Sequence, residues 1–147
     1  MTTRTYPKRC GKCGQKAVRL ATVLYAATIE HDGRSYRVEL PDLTVPRCAH
    51  CQTISLDEEA DRQISAAFRR VARLLAPEEI RQGREKLGLT QKQFANLLGV
   101  GEATVSRWET GAQIQQRAMD RFLRVCFGSP AAVALLASDF QPIARGA

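Results

Sequence analysis

Two close cysteine pairs constrain this chain more than any other feature of its sequence. Cys10 and Cys13 flank two residues, and Cys48 and Cys51 do the same. Thiolates two residues apart can bind one metal ion from a single turn, and two such pairs complete a tetrahedral S₄ site. The chain shows no apolar signal peptide, so these pairs indicate metal ligands rather than disulfides. The sequence predicts one structural Zn²⁺ per chain, held by Cys10, Cys13, Cys48 and Cys51, with iron as the alternative metal.

A site closed by four thiolates has consequences for catalysis. It leaves no coordination position for water, so catalysis by the metal is not expected. His50 lies between two ligands and is predicted to point away from the metal. Cys126 falls on an apolar helix face, which is typical of a core residue rather than a reactive thiol. With only two histidines, and without a Ser/His/Asp set or a Gly-rich phosphate loop, the sequence predicts that the protein is not an enzyme.

The segment between the cysteine pairs has the pattern of a β-hairpin. Residues 23–29 are apolar and suit a strand, and residues 36–40 alternate between apolar and charged side chains. An Asp-Gly dipeptide that ends at Gly33 separates the two runs and is a strong hairpin signal, because glycine tolerates a positive φ. We expect Pro41 and Pro46 to bound the loop that leads to the second cysteine pair.

Residues 55–76 are predicted to form a helix that links two domains. Ser55 and Glu58 have the spacing of a capping box. Apolar residues recur at steps of three and four, so they share one face. Pro77 is expected to end this helix, since the residue before a proline is pushed out of the α region. The predicted apolar face consists of Ala60, Ile64, Phe68, Val71 and Leu75.

The remainder of the chain is predicted to be helical. Glycines divide residues 77–140 into five short helices. The predicted helices span residues 77–86, 91–98, 102–109, 115–126 and 130–138. The fold class is therefore α+β, with a small zinc-binding β-hairpin domain at residues 1–54 and an all-α, five-helix domain at residues 77–140. Residues 141–147 are expected to be a frayed tail.

Residues 90–111 have the pattern of a helix-turn-helix. Thr90 is a suitable N-cap, and Gly99 permits the tight turn between the two helices. The apolar positions Phe94, Ala95, Leu98, Val105 and Trp108 would form the buried side. The second helix would then lie in the major groove, where the Arg107 guanidinium can pair with guanine O6 and N7. The residues predicted to contact DNA are Gln91, Glu102, Ala103, Thr104, Ser106 and Arg107.

The assembly and the surroundings of the protein can also be inferred. One reading helix covers few bases, so we expect a homodimer on a palindromic site, with the last two helices as the candidate dimer face. The net charge is +7, and residues 1–56 carry +5 of it. A basic chain favours a nucleic-acid partner, although cations near a tetrathiolate zinc also offset its negative charge. The apolar runs are too short to cross a bilayer, and the chain is expected to be cytosolic.

The helix-turn-helix resembles the Xre/Cro type of phage repressors through residues 89–91, 98–100 and 106–109. The whole chain resembles the MqsA-type antitoxins, also described as YgiT-type zinc-finger proteins. The shared features are the order CxxC, hairpin, CxxC, linker helix and helix-turn-helix, together with the Cys48-Ala-His-Cys51 knuckle and the Ser106-Arg107 dipeptide.

This resemblance implies an antitoxin of a type II toxin–antitoxin pair in the bacterial cytoplasm at the nucleoid. Its N-terminal zinc domain would hold a toxin, an mRNA interferase, and its C-terminal domain would dimerise and repress the shared operon at a palindrome. Arg107 falls on the family's base-reading arginine, whereas Ala103 stands where the best-known form has asparagine, so the operator is expected to differ. The alternative is a stand-alone zinc-containing transcription regulator without a toxin, which the neighbouring reading frame would distinguish.

Overall fold

The structure is a computed structural model that describes residues 5–139, so the predicted tail at residues 141–147 lies outside the described part. The chain divides into two compact units, residues 1–73 and 74–147. The first unit contains strands β1 (Lys8–Arg9), β2 (Lys16–His31) and β3 (Arg34–Cys48), followed by helix α1 (Glu58–Ala72). The three strands form one antiparallel sheet in the order β1-β2-β3.

Strands β2 and β3 form the predicted hairpin. Asp32 and Gly33 make its turn with φ of 50° and 70°, both in the left-handed region that a type I′ turn requires. The strands pair from His31↔Arg34 at the turn to Val18↔Cys48 at the base. The hairpin is therefore much longer than residues 23–40, and it brings the end of β3 directly into the second cysteine pair.

The expectation that Pro41 and Pro46 bound a loop is wrong, because both lie within β3. The register shifts between Val23 and Tyr25, where β3 contains one residue more than β2. Pro41 lies in this bulge, and a bulge tolerates a residue that cannot donate to the ladder. Pro46 pairs with Leu20.

Helix α1 covers one face of the hairpin. Leu43 and Val45 of β3 pack with Ala60 and Ile64 of α1 in a buried cluster. Nearer the hairpin turn, the Phe68 ring makes edge contacts with His31 at 5.2 Å and Tyr36 at 5.4 Å between ring centroids. The first unit thus has its own apolar core.

The predicted bounds of the linker helix are wrong at both ends. Asp57, not Ser55, is the N-cap, and its carboxylate accepts the Ala60 N–H at 2.9 Å. The helix ends before Pro77, at the left-handed residue Arg73 with φ of 55°. Consequently Val71 is about half exposed, and Leu75 belongs to the core of the second unit.

One edge and one face of β2 remain open. Strand β1 pairs with β2 only through Lys8↔Val18 and Arg9↔Lys16. Beyond Val18, no strand within residues 5–139 pairs with that edge of β2. Leu20 and Leu24 project from this stretch and are 54% and 73% exposed.

Across residues 74–139 the second unit consists of five helices, which confirms the predicted all-α architecture and the α+β class of the whole chain. The helices are α2 (Pro77–Lys86), α3 (Gln91–Leu98), α4 (Glu102–Thr110), α5 (Arg117–Gly128) and α6 (Pro130–Asp139). The largest difference from the predicted bounds is at α5, which begins and ends two residues later than expected. Gln115, its predicted first residue, is buried before the helix, and its Nε2 donates to the Leu75 carbonyl at 2.9 Å.

The core of the second unit lies between these helices. Ile80, Phe94, Val105 and Leu123 are fully buried there, together with Cys126. Burial raises the pKa of the Cys126 thiol, as expected for a core cysteine. Among the described residues no single helix has the length and apolar character needed to span a membrane, although α5 and α6 pass that test as a pair bent by 107°.

Candidate metal centre and nucleic-acid interface

The four cysteines of the two pairs converge at the base of the hairpin. Their sulfur atoms all lie within 4.8 Å of one another. Cys10 Sγ is 3.6 Å from Cys51 Sγ, and Cys13 Sγ is 3.7 Å from Cys48 Sγ. A tetrahedral site with zinc–sulfur bonds of about 2.3 Å places its sulfurs about 3.8 Å apart. The spacing therefore fits a single zinc-sized ion, and within the described part of the chain this cluster contains only cysteines.

Both cysteine pairs lie on the same kind of turn. The Gly14 N–H donates to the Cys10 carbonyl at 2.9 Å, and the Gln52 N–H donates to the Cys48 carbonyl at 2.9 Å. Gly14 and Gln52 adopt φ of 75° and 62° at equivalent positions. The Lys12 N–H also approaches Cys10 Sγ at 3.4 Å. Each turn therefore holds its two thiols on one side, where they can share a metal ion.

The thiols differ in acidity. The Thr53 hydroxyl lies 3.2 Å from Cys51 Sγ. Hydrogen bonds with this hydroxyl and with the Thr53 backbone outweigh burial and lower the pKa of Cys51 to about 6. A backbone hydrogen bond from Gln15 lowers the pKa of Cys13, but burial and the neighbouring thiols outweigh it and raise the value to about 11. Metal binding requires thiolates, so a metal ion entering this site displaces protons. His50 is exposed and contributes nothing to the cluster.

The helix-turn-helix of the second unit is capped as the sequence indicates. Thr90 Oγ1 accepts the Gln93 N–H at 3.2 Å, and Gln93 Oε1 accepts the Thr90 N–H at 2.9 Å. Gly99 ends α3 with φ of 74°. These features fix where α3 begins and where the chain turns into α4.

Helix α4 has one buried and one accessible side. Val105 and Trp108 are buried against the rest of the unit. The residues predicted to read DNA lie on the other side, where Glu102, Ala103 and Arg107 are exposed and Thr104 and Ser106 are partly exposed. The helix therefore presents all five to solvent.

A buried ion pair fastens the end of α4 to α2. Arg84 donates from Nε to Glu109 Oε1 at 2.6 Å and from Nη2 to Glu109 Oε2 at 3.1 Å, and its Nη1 donates to the Leu89 carbonyl at 2.7 Å. Gln91 Nε2 also donates to Glu109 Oε2, at 2.9 Å. Burial alone would raise the pKa of Glu109, but the hydrogen bonds from Arg84 and Gln91 lower it.

No local pattern in the sequence predicts this cluster. Arg84 and Glu109 are 25 residues apart, which is beyond any local pattern. The available signal was the position of Glu109, which follows Trp108 and lies four residues after Val105, on the buried side of α4. A charged residue on a buried face needs a partner, and that requirement could have prompted a search for a basic residue on a neighbouring helix.

A comparison with protein families gives the relationship of the whole chain. Residues 8–133 match the family model described as the antitoxin component of bacterial toxin-antitoxin system, MqsA. The chain belongs to the MqsA antitoxin family. The match spans both cysteine knuckles and helices α1 to α5, which confirms the resemblance drawn from the sequence. A search of curated proteins finds no matching sequence. As an MqsA-family member, the chain is an antitoxin component, which makes a toxin its expected counterpart.

Proposed function

We propose that this antitoxin neutralises a toxin through its N-terminal zinc domain and represses its own operon by binding DNA in the major groove. The observation that carries the second part is the division of α4 into a buried and an exposed side. Val105 and Trp108 hold the helix in its domain, and Arg107 projects from the opposite side. In this proposal the chain acts by binding and not as an enzyme.

Arg107 is the proposed base reader. A guanidinium can donate two parallel hydrogen bonds to guanine O6 and N7. Thr104 and Ser106 would contact bases or phosphates beside it. Glu102 would repel phosphate, so it would contribute only by accepting from a cytosine N4 amine.

Gln91 is the proposed phosphate contact. It is the first residue of α3, where backbone N–H groups have no partner within the helix and the helix dipole favours an anion. Its side-chain amide donates one hydrogen to Glu109, and the second hydrogen of the same nitrogen can donate to a phosphate oxygen. Phosphate contacts of this kind set the register of the reading helix on the duplex.

The DNA-binding proposal can be tested with the promoter fragment upstream of the protein's own reading frame. Arg107→Ala should weaken binding by about 1–3 kcal/mol, measured by fluorescence anisotropy, while the thermal unfolding of the protein is unchanged. Arg62→Ala is the matched control, since Arg62 is an exposed arginine of α1 that pairs with Glu59. Equal affinity of the two variants would reject the assignment of α4 as the reading helix.

Zn²⁺ is the proposed metal, with a structural role. Cys10, Cys13, Cys48 and Cys51 would hold it and provide all four ligands, which leaves no place for a reacting water. Elemental analysis of the purified chain should find one zinc per chain, and Cys51→Ser should lose it. Iron in place of zinc, visible as a coloured protein, would contradict the assignment.

The toxin is proposed to bind the first unit. Leu20 and Leu24 expose apolar surface on β2, and exposed apolar patches commonly mark protein interfaces. We expect a neighbouring reading frame to encode the toxin, an mRNA interferase. Co-expression with that toxin should yield a stable complex that Leu24→Glu disrupts and Arg107→Ala preserves. A complex unaffected by Leu24→Glu would place the interface elsewhere.

A homodimer is proposed for the DNA-bound form, because a palindromic operator presents two equivalent half-sites. Val125 of α5 and Leu135 of α6 are 52% and 60% exposed and suit the dimer face. Light scattering after size exclusion should give the mass of a dimer, and Leu135→Glu should give a monomer. The proposed location is the bacterial cytoplasm, at the nucleoid.

A further inference from the structure

A cavity of about 450 Å³ lies on the first unit beside Cys10. Its walls come from the residues that form β1, from the first cysteine knuckle, and from the segment between β3 and α1. The residues that matter for its chemistry are Tyr6, Lys8, Arg9, Lys12, Val18 and Pro46.

The rim of this cavity is basic. Lys8, Arg9 and Lys12 line it and are exposed. Asp57 is the one carboxylate among the residues that line the cavity, and it is already engaged as the N-cap of α1. An anionic group entering the cavity would therefore meet three cations against one carboxylate, a local charge of about +2.

The positive charge is concentrated at the cavity and is not spread over the whole metal end of the first unit. Residues 5–29 and 43–59 contain six lysines and arginines and three acidic residues, which are Asp57, Glu58 and Glu59. A Zn²⁺ ion with four thiolates carries about −2, so this end as a whole retains an excess of only about +1. Three of its cations line the cavity, and only one of its carboxylates, that of Asp57, lines it with them.

The floor of the cavity is apolar. Val18 and Pro46 contribute to it, and Pro46 is buried. The Tyr6 ring forms part of the wall, with Lys8 Nζ 5.2 Å from its centroid. A nucleic acid would use its phosphates at the rim, but its bases bind by stacking on aromatic faces. Val18 and Pro46 offer no aromatic face, and Lys8 Nζ lies over the Tyr6 ring. A peptide that carries carboxylates beside an apolar side chain would use both the rim and the floor.

We infer that this cavity holds an acidic segment of a protein partner, with its carboxylates at Lys8, Arg9 and Lys12 and an apolar side chain over Val18 and Pro46. In identifying that partner as the toxin, the inference rests on the proposed function of the N-terminal unit. The recognition chemistry itself depends only on the charge and shape of the cavity.

The test uses the full-length, zinc-loaded protein and a fluorescein-labelled peptide that alternates glutamate with leucine, followed by fluorescence anisotropy. Lys12→Glu should weaken binding by at least about tenfold, because it places a like charge against the peptide. Arg34→Glu is the matched control, since it makes the same charge change on an exposed residue at the hairpin turn, and it should leave the affinity unchanged. Zinc content, measured for both variants, confirms that the metal site is intact.

A second comparison tests the apolar floor without altering the protein. Replacing the leucines of the peptide by glycine should weaken binding by about tenfold or more, because the burial of a leucine side chain over Val18 and Pro46 stabilises the complex. Equal affinity of the two peptides, or equal affinity of Lys12→Glu and Arg34→Glu, would overturn the inference. So would tighter binding of a single-stranded oligothymidine that displaces the peptide, because the surface would then be a nucleic-acid site.

The same variants separate this inference from the proposed function. If the co-expressed toxin binds Lys12→Glu as tightly as the unmodified protein, the toxin is held elsewhere and the inference fails while toxin binding stands. If the adjacent gene product does not bind at all but Lys12→Glu still abolishes peptide binding, the toxin proposal fails and the cavity remains an acidic-peptide site.

Discussion

Removing the carboxylate of Glu109 is the sharpest test of how α4 is held in place. The Glu109→Ala substitution removes the two carboxylate oxygens that accept hydrogen bonds from Arg84, one of which also accepts from the Gln91 side-chain amide. The side chains of Glu109 and Arg84 are 2% and 11% exposed. Water can therefore solvate little of the unpaired Arg84 guanidinium in the variant, and we expect a large loss in the free energy of unfolding.

The magnitude follows from this burial. Breaking a buried ion pair by removing one partner costs about 3–5 kcal/mol. Arg84 keeps its hydrogen bond to the Leu89 carbonyl and some exposure, so the lower end applies, about 3 kcal/mol. For a domain of this size that loss lowers the melting temperature by roughly 12 to 24 °C. Replacing both partners by apolar residues, as in Arg84→Met with Glu109→Leu, should recover most of it, because no charge is then left unpaired.

The chain contains a single tryptophan, and Trp108 is 4% exposed in the second unit. Its fluorescence therefore reports the urea unfolding of that unit. Glu85→Ala is the matched control, since Glu85 lies 3.8 Å from the same guanidinium but is 58% exposed, and it should cost less than about 1 kcal/mol. Equal losses in Glu109→Ala and Glu85→Ala would refute the argument, as would a double variant that is no more stable than Glu109→Ala.

Three further results are expected. Chelation of the metal should remove the strand signal from circular dichroism and leave the Trp108 fluorescence unchanged; a joint loss would mean that the units unfold together. Acid should destabilise the second unit, because the pKa of Glu109 lies below its ordinary value of 4.5. The stabilisation by ionised Glu109 is complete above pH 4.5 and is lost as the pH falls through the lowered pKa. Urea unfolding midpoints at a series of pH values would show this loss. Gly83→Ala places a methyl group 2.6 Å from the Phe127 ring and should cost about 1–3 kcal/mol in the same unfolding assay.

Local signals in the sequence were sufficient for the helix-turn-helix of the second unit. Thr90 and Gln93 form a capping box, and Gly99 ends α3, so the bounds of that helix follow from chemistry within a few residues. The two cysteine knuckles are equally local, since each ligand pair lies on one turn. In each of these elements, the contacts that define the structure join residues only a few positions apart in the sequence.

Long-range contacts account for the errors. The strand pattern at residues 23–40 did not reveal that the ladder continues through Pro46, because the bulge near Pro41 depends on pairing with β2. The start of α5 depends on Gln115, whose amide bonds a carbonyl 40 residues away. The Arg84–Glu109 pair is of the same kind, since the identity of the partner of Glu109 depends on how α2 and α4 pack together.

The open edge of β2 has a practical consequence for anyone who prepares this protein. Unpaired backbone donors and acceptors beside Leu20 and Leu24 form a template on which another extended chain can add a strand. Lys16 and Arg19 are the only charged residues among residues 16–29. From residue 20 to residue 29, β2 therefore has no charged side chain that would repel an added strand. We expect the isolated chain to self-associate at high concentration and to stay dispersed when its partner is co-produced.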